Sequence, residues 1–407
     1  MNIQSTLNNY KTRHEYMTTE QQCALYLNNS RRLDPSAPSP TQAALPLCGL
    51  SEDLALDLGP VIVFPGLINS HTHLEFDAYP TIDGGPFRDY RAWARHVHHH
   101  YGELIEKIEA IPLAYRRQWG AFKNLLCGVT QIVDHCATPD AAAEHTPATL
   151  IDDFRFIHAE DSKWARLKLF CPSGDRPVVV HIGEGVTPEK EHQTDRFLAA
   201  NIFRNPVIGV HGIAASDLSL TRLRALVWCP VSNLHLYNQT LKPEILNSDI
   251  PILFGTDSNL SAAGHLFDHL RTAHAKTGQG GANLLKSLTS TPSAVWRVNN
   301  IPALQDYVVA RQHYTDPVKS FLALNPEDIL IVIKAGKLLL LDECAFSLLK
   351  TDTRHPLTAA IQVGGRLKYV ALKTPDLLTC LMDTEAGQRL KEMKLHAVSP
   401  ESIPEAR

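Results

Sequence analysis

What this 407-residue chain lacks removes several classes of function. It has no basic excess: Lys+Arg 39 stand against Asp+Glu 43, a net charge of -4. Nothing in that balance is suited to grip a phosphate backbone, so nucleic acid is not an expected partner. No apolar run approaches the length that spans a bilayer, and Ile329 to Ile333 and Leu338 to Leu341 are strand-sized, so no membrane partner is expected either. The start, Met1 to Gln22, is polar and shows no apolar core of a secretory signal. The 8 cysteines include no Cys-x-x-Cys pair and read as reduced thiols, which makes a cytoplasmic protein the expectation. A His-Glu-x-x-His motif, a P-loop and a Gly-x-Gly-x-x-Gly are all missing.

What remains is an ordinary globular composition, 44% hydrophobic and 20% charged. Its most informative stretch is Phe64-Pro65-Gly66-Leu67-Ile68-Asn69-Ser70-His71-Thr72-His73-Leu74-Glu75, an apolar run, a Pro-Gly break and two histidines one residue apart. On an extended strand, side chains at i and i+2 share a face, so His71 and His73 can hold one ion together. Among 20 histidines such a pair carries little alone, and its meaning depends on partners downstream.

Three zones differ in texture. Residues 1–60 are polar, with a proline- and serine-containing loop at Asp34 to Thr41. Over 61–300, short apolar runs alternate with segments of helical character, the pattern of successive βα units and a parallel sheet. Runs at Val129, Val178, Val207, Ala225 and Ile252 predict a closed (β/α)8 TIM barrel. Between 135 and 177 the chain is short for the strands it must supply; Phe154 to Ile157 and Leu167 to Phe170 are the candidates. Over 301–407, two strand-Gly-strand patterns, Asp328 to Leu341 and Ile361 to Val370, predict hairpins. With 1–60 they are expected to form a small β-sandwich-like domain built from both chain ends.

The strands of the middle zone end on residues that can ligate or titrate. Val178-Val179-Val180 runs into His181 with Glu184 behind it, Val207 to Val210 into His211, and Ile252 to Thr256 into Asp257. Barrel enzymes carry their chemistry at these carboxyl ends, where side chains converge on one mouth. Three or four protein ligands with an open position describe a catalytic rather than a structural metal site.

Taken together, these motifs resemble the amidohydrolase superfamily. Phe64 to His73 is similar to its first-strand signature, Gly128-Val129-Thr130 to its second strand, and His181-Ile182-Gly183-Glu184-Gly185 to its fifth. Trp228-Cys229-Pro230-Val231-Ser232-Asn233-Leu234 resembles its seventh strand and Phe254-Gly255-Thr256-Asp257-Ser258 its eighth. The likeness spans about residues 57–300 and points to the cytosine-deaminase and chlorohydrolase-like branch, whose members mostly use one metal ion without a carboxylated lysine. It implies one divalent ion, zinc first with iron or manganese as alternatives, among His71, His73, His181 and Asp257. It further implies that Asp257 takes a proton from activated water, Glu184 passes it to a nitrogen of the substrate, and His211 orients the water or polarises the reacting group. The reaction expected is hydrolytic deamination of an amino-substituted heterocycle, a small-molecule substrate. Cyclic amide hydrolysis or chloride displacement at the same site is the alternative, and a non-catalytic scaffold the rival from another class. The oligomeric state is not readable, and a homo-oligomer stays open.

Other residues have plainer readings. Ser232 and Asn233 either contact substrate or cap and turn the chain; Asp134 and His135 either line the pocket or support it. Glu75, Phe76, Tyr90 and Trp93 are candidates for the mouth. The run His96, His98, His99 and His100 reads as a solvated helix face rather than a metal cluster. His158-Ala159-Glu160 has the His-x-Glu of the zinc nucleoside deaminases, but no Pro-Cys-x-x-Cys follows, which excludes that family.

Overall fold

The computed structural model describes residues 23–33, 43–48, 50, 52–135, 146–162, 164–298, 306–349, 351–354, 357–372 and 395–397. The loop expected at Asp34 to Thr41 lies outside them. Eight parallel strands follow one another through the middle of the chain: β1 (Leu67–Thr72), β2 (Val129–Asp134), β3 (Thr149–Leu150), β4 (Arg155–Ala159), β5 (Val178–Ile182), β6 (Val207–His211), β7 (Ala225–Trp228) and β8 (Ile252–Phe254). They form a ladder from β1 to β3 and another from β4 to β8. The last strand returns to the first, where Thr72 bridges Asp257 in parallel register, and this seam closes a (β/α)8 barrel. Val178-Val179-Val180 and Ala225 to Trp228 are buried along their whole length, because helices cover the outer face and side chains fill the inner one.

The helices between them begin and end where their sequences provide caps. Pro188–Ala199 starts on Thr187, whose hydroxyl accepts from Lys190 N, with Pro188 in the first turn. Leu266–Thr277 opens on a reciprocal cap between His265 and Asp268 and stops at Gly278 in the left-handed region.

The short segment before β5 differs from expectation. Leu167 to Phe170 is not a strand: Ala165–Leu169 is a helix, and the Arg155 guanidinium donates to Lys168 O (2.5 Å) in its last turn and to Cys171 O (2.6 Å) just beyond it. Its alternating sequence has the period of a strand, but the buried residues are Ala165 and Leu169, one helical turn apart, while Trp164, Leu167 and Phe170 face solvent. The third barrel strand is instead the two-residue Thr149–Leu150, and among the described residues no ladder joins it to β4.

Both chain ends feed one further sheet of eight strands, in the order Leu395–Ala397, Ala359–Val363, Arg366–Val370, Lys337–Asp342, Ile329–Lys334, Tyr307–Arg311, Val61–Pro65 and Ser30–Arg32. The two segments read as hairpins do pair antiparallel, Ile331 with Leu341 and Ile361 with Lys368. A three-stranded sheet of Ala43–Leu47, Cys23–Leu27 and Leu54–Leu56 shares a core with it, through Leu25, Leu27, Leu45 and Leu47 against Val63, Val309 and Ile331. Val61–Pro65 thus belongs to the terminal sheet and the next residue but one begins the barrel. Gly66 makes that passage, since a Cβ there would sit 2.3 Å from Thr130 Oγ1 and 2.6 Å from Asp306 Cβ. Among the described residues no helix is long and apolar enough to cross a membrane.

One buried charge cluster anchors the terminal sheet. Lys368 and Asp342 are both 0% exposed. The Lys368 ammonium donates to Asp342 Oδ2 (2.9 Å), Glu327 O (2.8 Å) and Ile329 O (2.6 Å), which uses all its protons. Arg366 completes the carboxylate from the other side. Burial works to raise the Asp342 carboxyl, but Arg366 and Lys368 outweigh it and hold it below the usual carboxylate range. Lys368→Met leaves two carbonyls without their donor and half-strips a buried carboxylate, and is expected to cost about 3–5 kcal/mol, read as a lower urea midpoint at unchanged slope.

Candidate metal centre

The seam between β1 and the segment after β8 fixes the first ligands. His71 O accepts from Thr256 N (3.0 Å) and Asp257 N (3.1 Å), and Asp257 O accepts from His73 N (3.4 Å) and the Thr72 hydroxyl (2.7 Å). Gly255 permits this approach, because a Cβ there would lie 2.9 Å from both Cys229 Sγ and His71 Cβ. Asn69 ties the same strand to Asn124 Oδ1 (2.8 Å) and Thr256 Oγ1 (2.7 Å). Asp257 itself has φ 59°, and His211 at the end of β6 has φ 70°. Two non-glycine residues in the left-handed region at one barrel mouth are strain that the surrounding bonds hold in place.

Inside this frame, His71 Nε2 and His73 Nε2 each stand 3.7 Å from Asp257 Oδ1, and His181 Nε2 stands 3.3 Å from His71 Nε2. The other carboxylate oxygen, Oδ2, accepts from Ser232 Oγ (2.5 Å) and Ser261 Oγ (2.9 Å), which turns Oδ1 toward the imidazoles. His181 is fixed as a tautomer: its Nδ1 meets the His158 carbonyl, an acceptor only, so Nδ1 carries the proton and Nε2 a bare lone pair.

Burial lowers His71 against the pull of Asp257, and brings His73 down to about 3. Burial and the neighbouring imidazoles hold His135 and His181 well below the ordinary histidine range. Burial alone would raise the Asp257 carboxyl; the His71 hydrogen bond and the fields of His211 and His73 overcome it, and Asp257 stays ionised. The pocket therefore combines neutral imidazoles with one buried carboxylate, a set of acceptors that suits a cation.

Beside this group lies an acid pair. Burial raises the Glu184 carboxyl, partly offset by His211, whose Nε2 is 3.8 Å from Glu184 Oε1. Tyr237 donates its hydroxyl to Glu184 Oε1 at 2.9 Å. His211 Nδ1 donates to Asn233 Oδ1 at 2.9 Å, which orients the ring with its Nε2 toward Glu184. Behind the turn from His181 to Glu184, Glu160 Oε1 accepts from Gly183 N (3.2 Å) and pairs with Lys190 Nζ (3.0 Å), all buried.

The structure brings His71, His73, His181, Asp257, Glu184 and His211 to one mouth. Ser232 and Asn233 brace Asp257 and His211. Asp134 receives Arg117 at 2.7 Å and Leu74 N at 3.2 Å, which secures the turn after His73. Phe76 lies 5.6 Å from the His73 ring, and Tyr90 bonds His158 Nε2 at 3.2 Å. The helix Tyr90–His100 carries His96 bonded to Asp83 O (2.9 Å), with His98, His99 and His100 exposed; among the described residues they join no ligand group. His135 does stand among the site histidines: one of its ring nitrogens and one each of His71, His73 and His181 lie within 4.8 Å of one another. His135 thus lies at the pocket, one of the two places its position after the second strand allowed; Glu160, which follows directly on β4, is reached by the same rule of titratable residues at strand ends.

The donor set fits a divalent ion. A tetrahedral zinc site with ligands at about 2.0–2.1 Å has ligand-to-ligand edges of roughly 3.3 Å. The distances of 3.3 Å and 3.7 Å among His71, His73, His181 and Asp257 are of that size.

The chain matches no protein-family model and no curated protein sequence. Solved structures do resemble it. An adenosine deaminase from Xanthomonas campestris with bound zinc superposes with a TM-score of 0.61 at 16% identity, covering 78% of this chain and 93% of that one. Aminofutalosine deaminase from Helicobacter pylori gives 0.56 at 15% identity, over 78% and 100%. The atrazine chlorohydrolase TrzN of Arthrobacter aurescens, complexed with zinc, gives 0.56 at 15%, over 77% and 95%. The fold of this chain is the fold of these proteins, as the superfamily resemblance of its motifs implied.

The buried neutral histidines give a pH dependence. In the metal-free protein, His73 and the distant His269 are both held at about 3, while the unfolded chain protonates them near the ordinary value of 6.5. The unfolded state thus binds more protons between those limits, so stability is full above pH 6.5 and declines as pH falls toward 3. Each ring contributes about 1.4 kcal/mol per pH unit in that window, and urea unfolding of metal-free protein at pH 7, 6 and 5 measures the slope.

Proposed function

We propose that this chain is a metal-dependent hydrolase that uses water to remove an amino group from a nitrogen heterocycle. The observation that carries the reading is the convergence of His71 and His73 nitrogens on Asp257 Oδ1, with His181 Nε2 against His71 Nε2 and a buried Glu184 and His211 alongside. The solved structures of the same fold support it, since their names include deaminases and a chlorohydrolase with zinc.

Zinc, the ion this donor set suits best, supplies Lewis acidity and acidified water when bound by His71, His73, His181 and Asp257. The chain's own groups do the rest. Asp257 presents Oδ1 while Ser232 and Ser261 occupy Oδ2, so one oxygen is oriented and the other is held. Glu184, raised by burial, holds a proton more readily than an exposed carboxyl and can deliver it to a ring nitrogen. His211 presents its Nε2 to the pocket beside Glu184, its ring oriented by Asn233, and can orient the water or polarise the reacting group. Tyr237 fixes the Glu184 carboxyl, and the Glu160–Lys190 pair fixes the turn that carries it.

A panel of aminopurines, aminopyrimidines, pterins, cyclic amides and chlorotriazines, assayed with zinc-loaded protein, tests the reading. Ammonia release from an amino-substituted ring is expected, and ring opening or chloride release would move the assignment to another leaving group. On the substrate found, Glu184→Gln is expected to lower kcat/KM by about 10²–10⁴-fold. Removing zinc with a chelator and adding it back should abolish and restore turnover. No hydrolysis anywhere on the panel, or rates indifferent to Glu184 and to zinc, would leave the barrel a scaffold.

A further inference from the structure

A fifth imidazole at the site, His135, has no part in the chemistry above. It follows β2 directly, its backbone N–H donates to Thr72 O at 2.8 Å, and it is 2% exposed. Its ring stacks on His181 at 4.3 Å and meets the Phe156 ring at 3.9 Å. Its Nδ1 stands 3.1 Å from His71 Nδ1, and its Nε2 has no hydrogen-bond partner.

Two nitrogens at that distance need one proton between them. His71 turns its Nε2 toward His181 Nε2 and Asp257 Oδ1. For a neutral ring that offers Nε2 as a ligand, the proton must sit on Nδ1, and Nδ1 points at His135. His135 must then accept at its own Nδ1 and keep its proton on Nε2, the atom left without a partner. A buried N–H with no acceptor is unfavourable, and it is tolerated here because the opposite lone pair is engaged. His135 stands on the Nδ1 edge of His71 while the other ligand atoms stand at the Nε2 edge, so it is placed to orient a ligand and not to be one.

We propose that His135 is a positioning residue: it accepts the His71 Nδ1–H and so fixes the tautomer in which His71 presents Nε2 to a divalent ion. The inference rests on the metal-centre reading above. Carboxylates, backbone carbonyls and water are the usual acceptors behind a ligating histidine. A neutral imidazole does the same work without bringing a second negative charge into the pocket.

Zinc binding to the stripped full-length protein, measured by competition with a chromophoric chelator at pH 7, is the test. Wild type should bind one zinc per chain. His135→Phe keeps a ring without an acceptor and should still bind one zinc, about 10–100-fold more weakly. His135→Asn places a side-chain oxygen the same number of bonds from the backbone as Nδ1, and should recover most of the loss. A Phe variant as tight as wild type would reduce His135 to a space filler and overturn the proposal, with the metal centre intact. Loss of all zinc from both variants, with thermal unfolding of the metal-free forms unchanged, would make His135 a ligand and overturn it equally. Wild type without zinc would remove the metal reading and this inference together. Independently of any variant, ¹⁵N spectra of zinc-loaded wild type should show protons on His71 Nδ1 and His135 Nε2; the reverse pair of tautomers would overturn the proposal.

Discussion

The seam where the first barrel strand meets the last controls everything else in this molecule. Two backbone N–H groups on one histidine carbonyl, and a backbone amide with a threonine hydroxyl on the Asp257 carbonyl, set the spacing between His71, His73 and Asp257 before the imidazoles and the carboxylate meet. Closing the sheet there also forces Asp257 into a left-handed backbone conformation. A barrel of parallel strands can hold such strain because its neighbours are paired on both sides, and the strain aims a carboxylate that an extended strand would point elsewhere. The candidate site is in this sense a by-product of barrel closure, made selective by Gly255 and by the two serines behind Asp257.

Around the seam, the pocket is built in layers of decreasing exposure to choice. Serines hold one carboxylate oxygen, an asparagine orients His211, a tyrosine orients Glu184, and a buried glutamate–lysine pair holds the turn beneath. Each support is a hydrogen bond or ion pair from a neighbouring element to the group it holds. Unsupported, the same groups would be costly, because a buried polar or charged group without partners loses its hydration with nothing in return.

How much of this the sequence disclosed follows from the kind of signal each part leaves. His71, His73, His181, Glu184, His211 and Asp257 were legible because apolar runs delimit the strands and these residues follow on them in order. The terminal hairpins were legible from the glycines between paired apolar runs. Leu167 to Phe170 misled, because a short amphipathic helix and a half-buried strand both alternate over four residues, and only burial at Ala165 and Leu169 separates them. The third barrel strand is two residues long, too short to leave a periodic signal. The roles of Ser232, Asn233 and Glu160 are contacts between distant strands, which no local pattern encodes; Glu160 meets Gly183 across 23 residues.

The chain leaves the terminal sheet at Pro65 and enters the barrel at Leu67 with only Gly66 between. Two cores are therefore threaded on one uninterrupted extended segment, and the histidine pair sits on it within a few residues of the junction. Length can be added or lost in the barrel's helices and connecting loops without disturbing either core. At Gly66 a single inserted residue would put both sheets out of register at once and turn the two histidines to the opposite face. Gly66 is therefore the point of this chain least able to take an inserted or deleted residue.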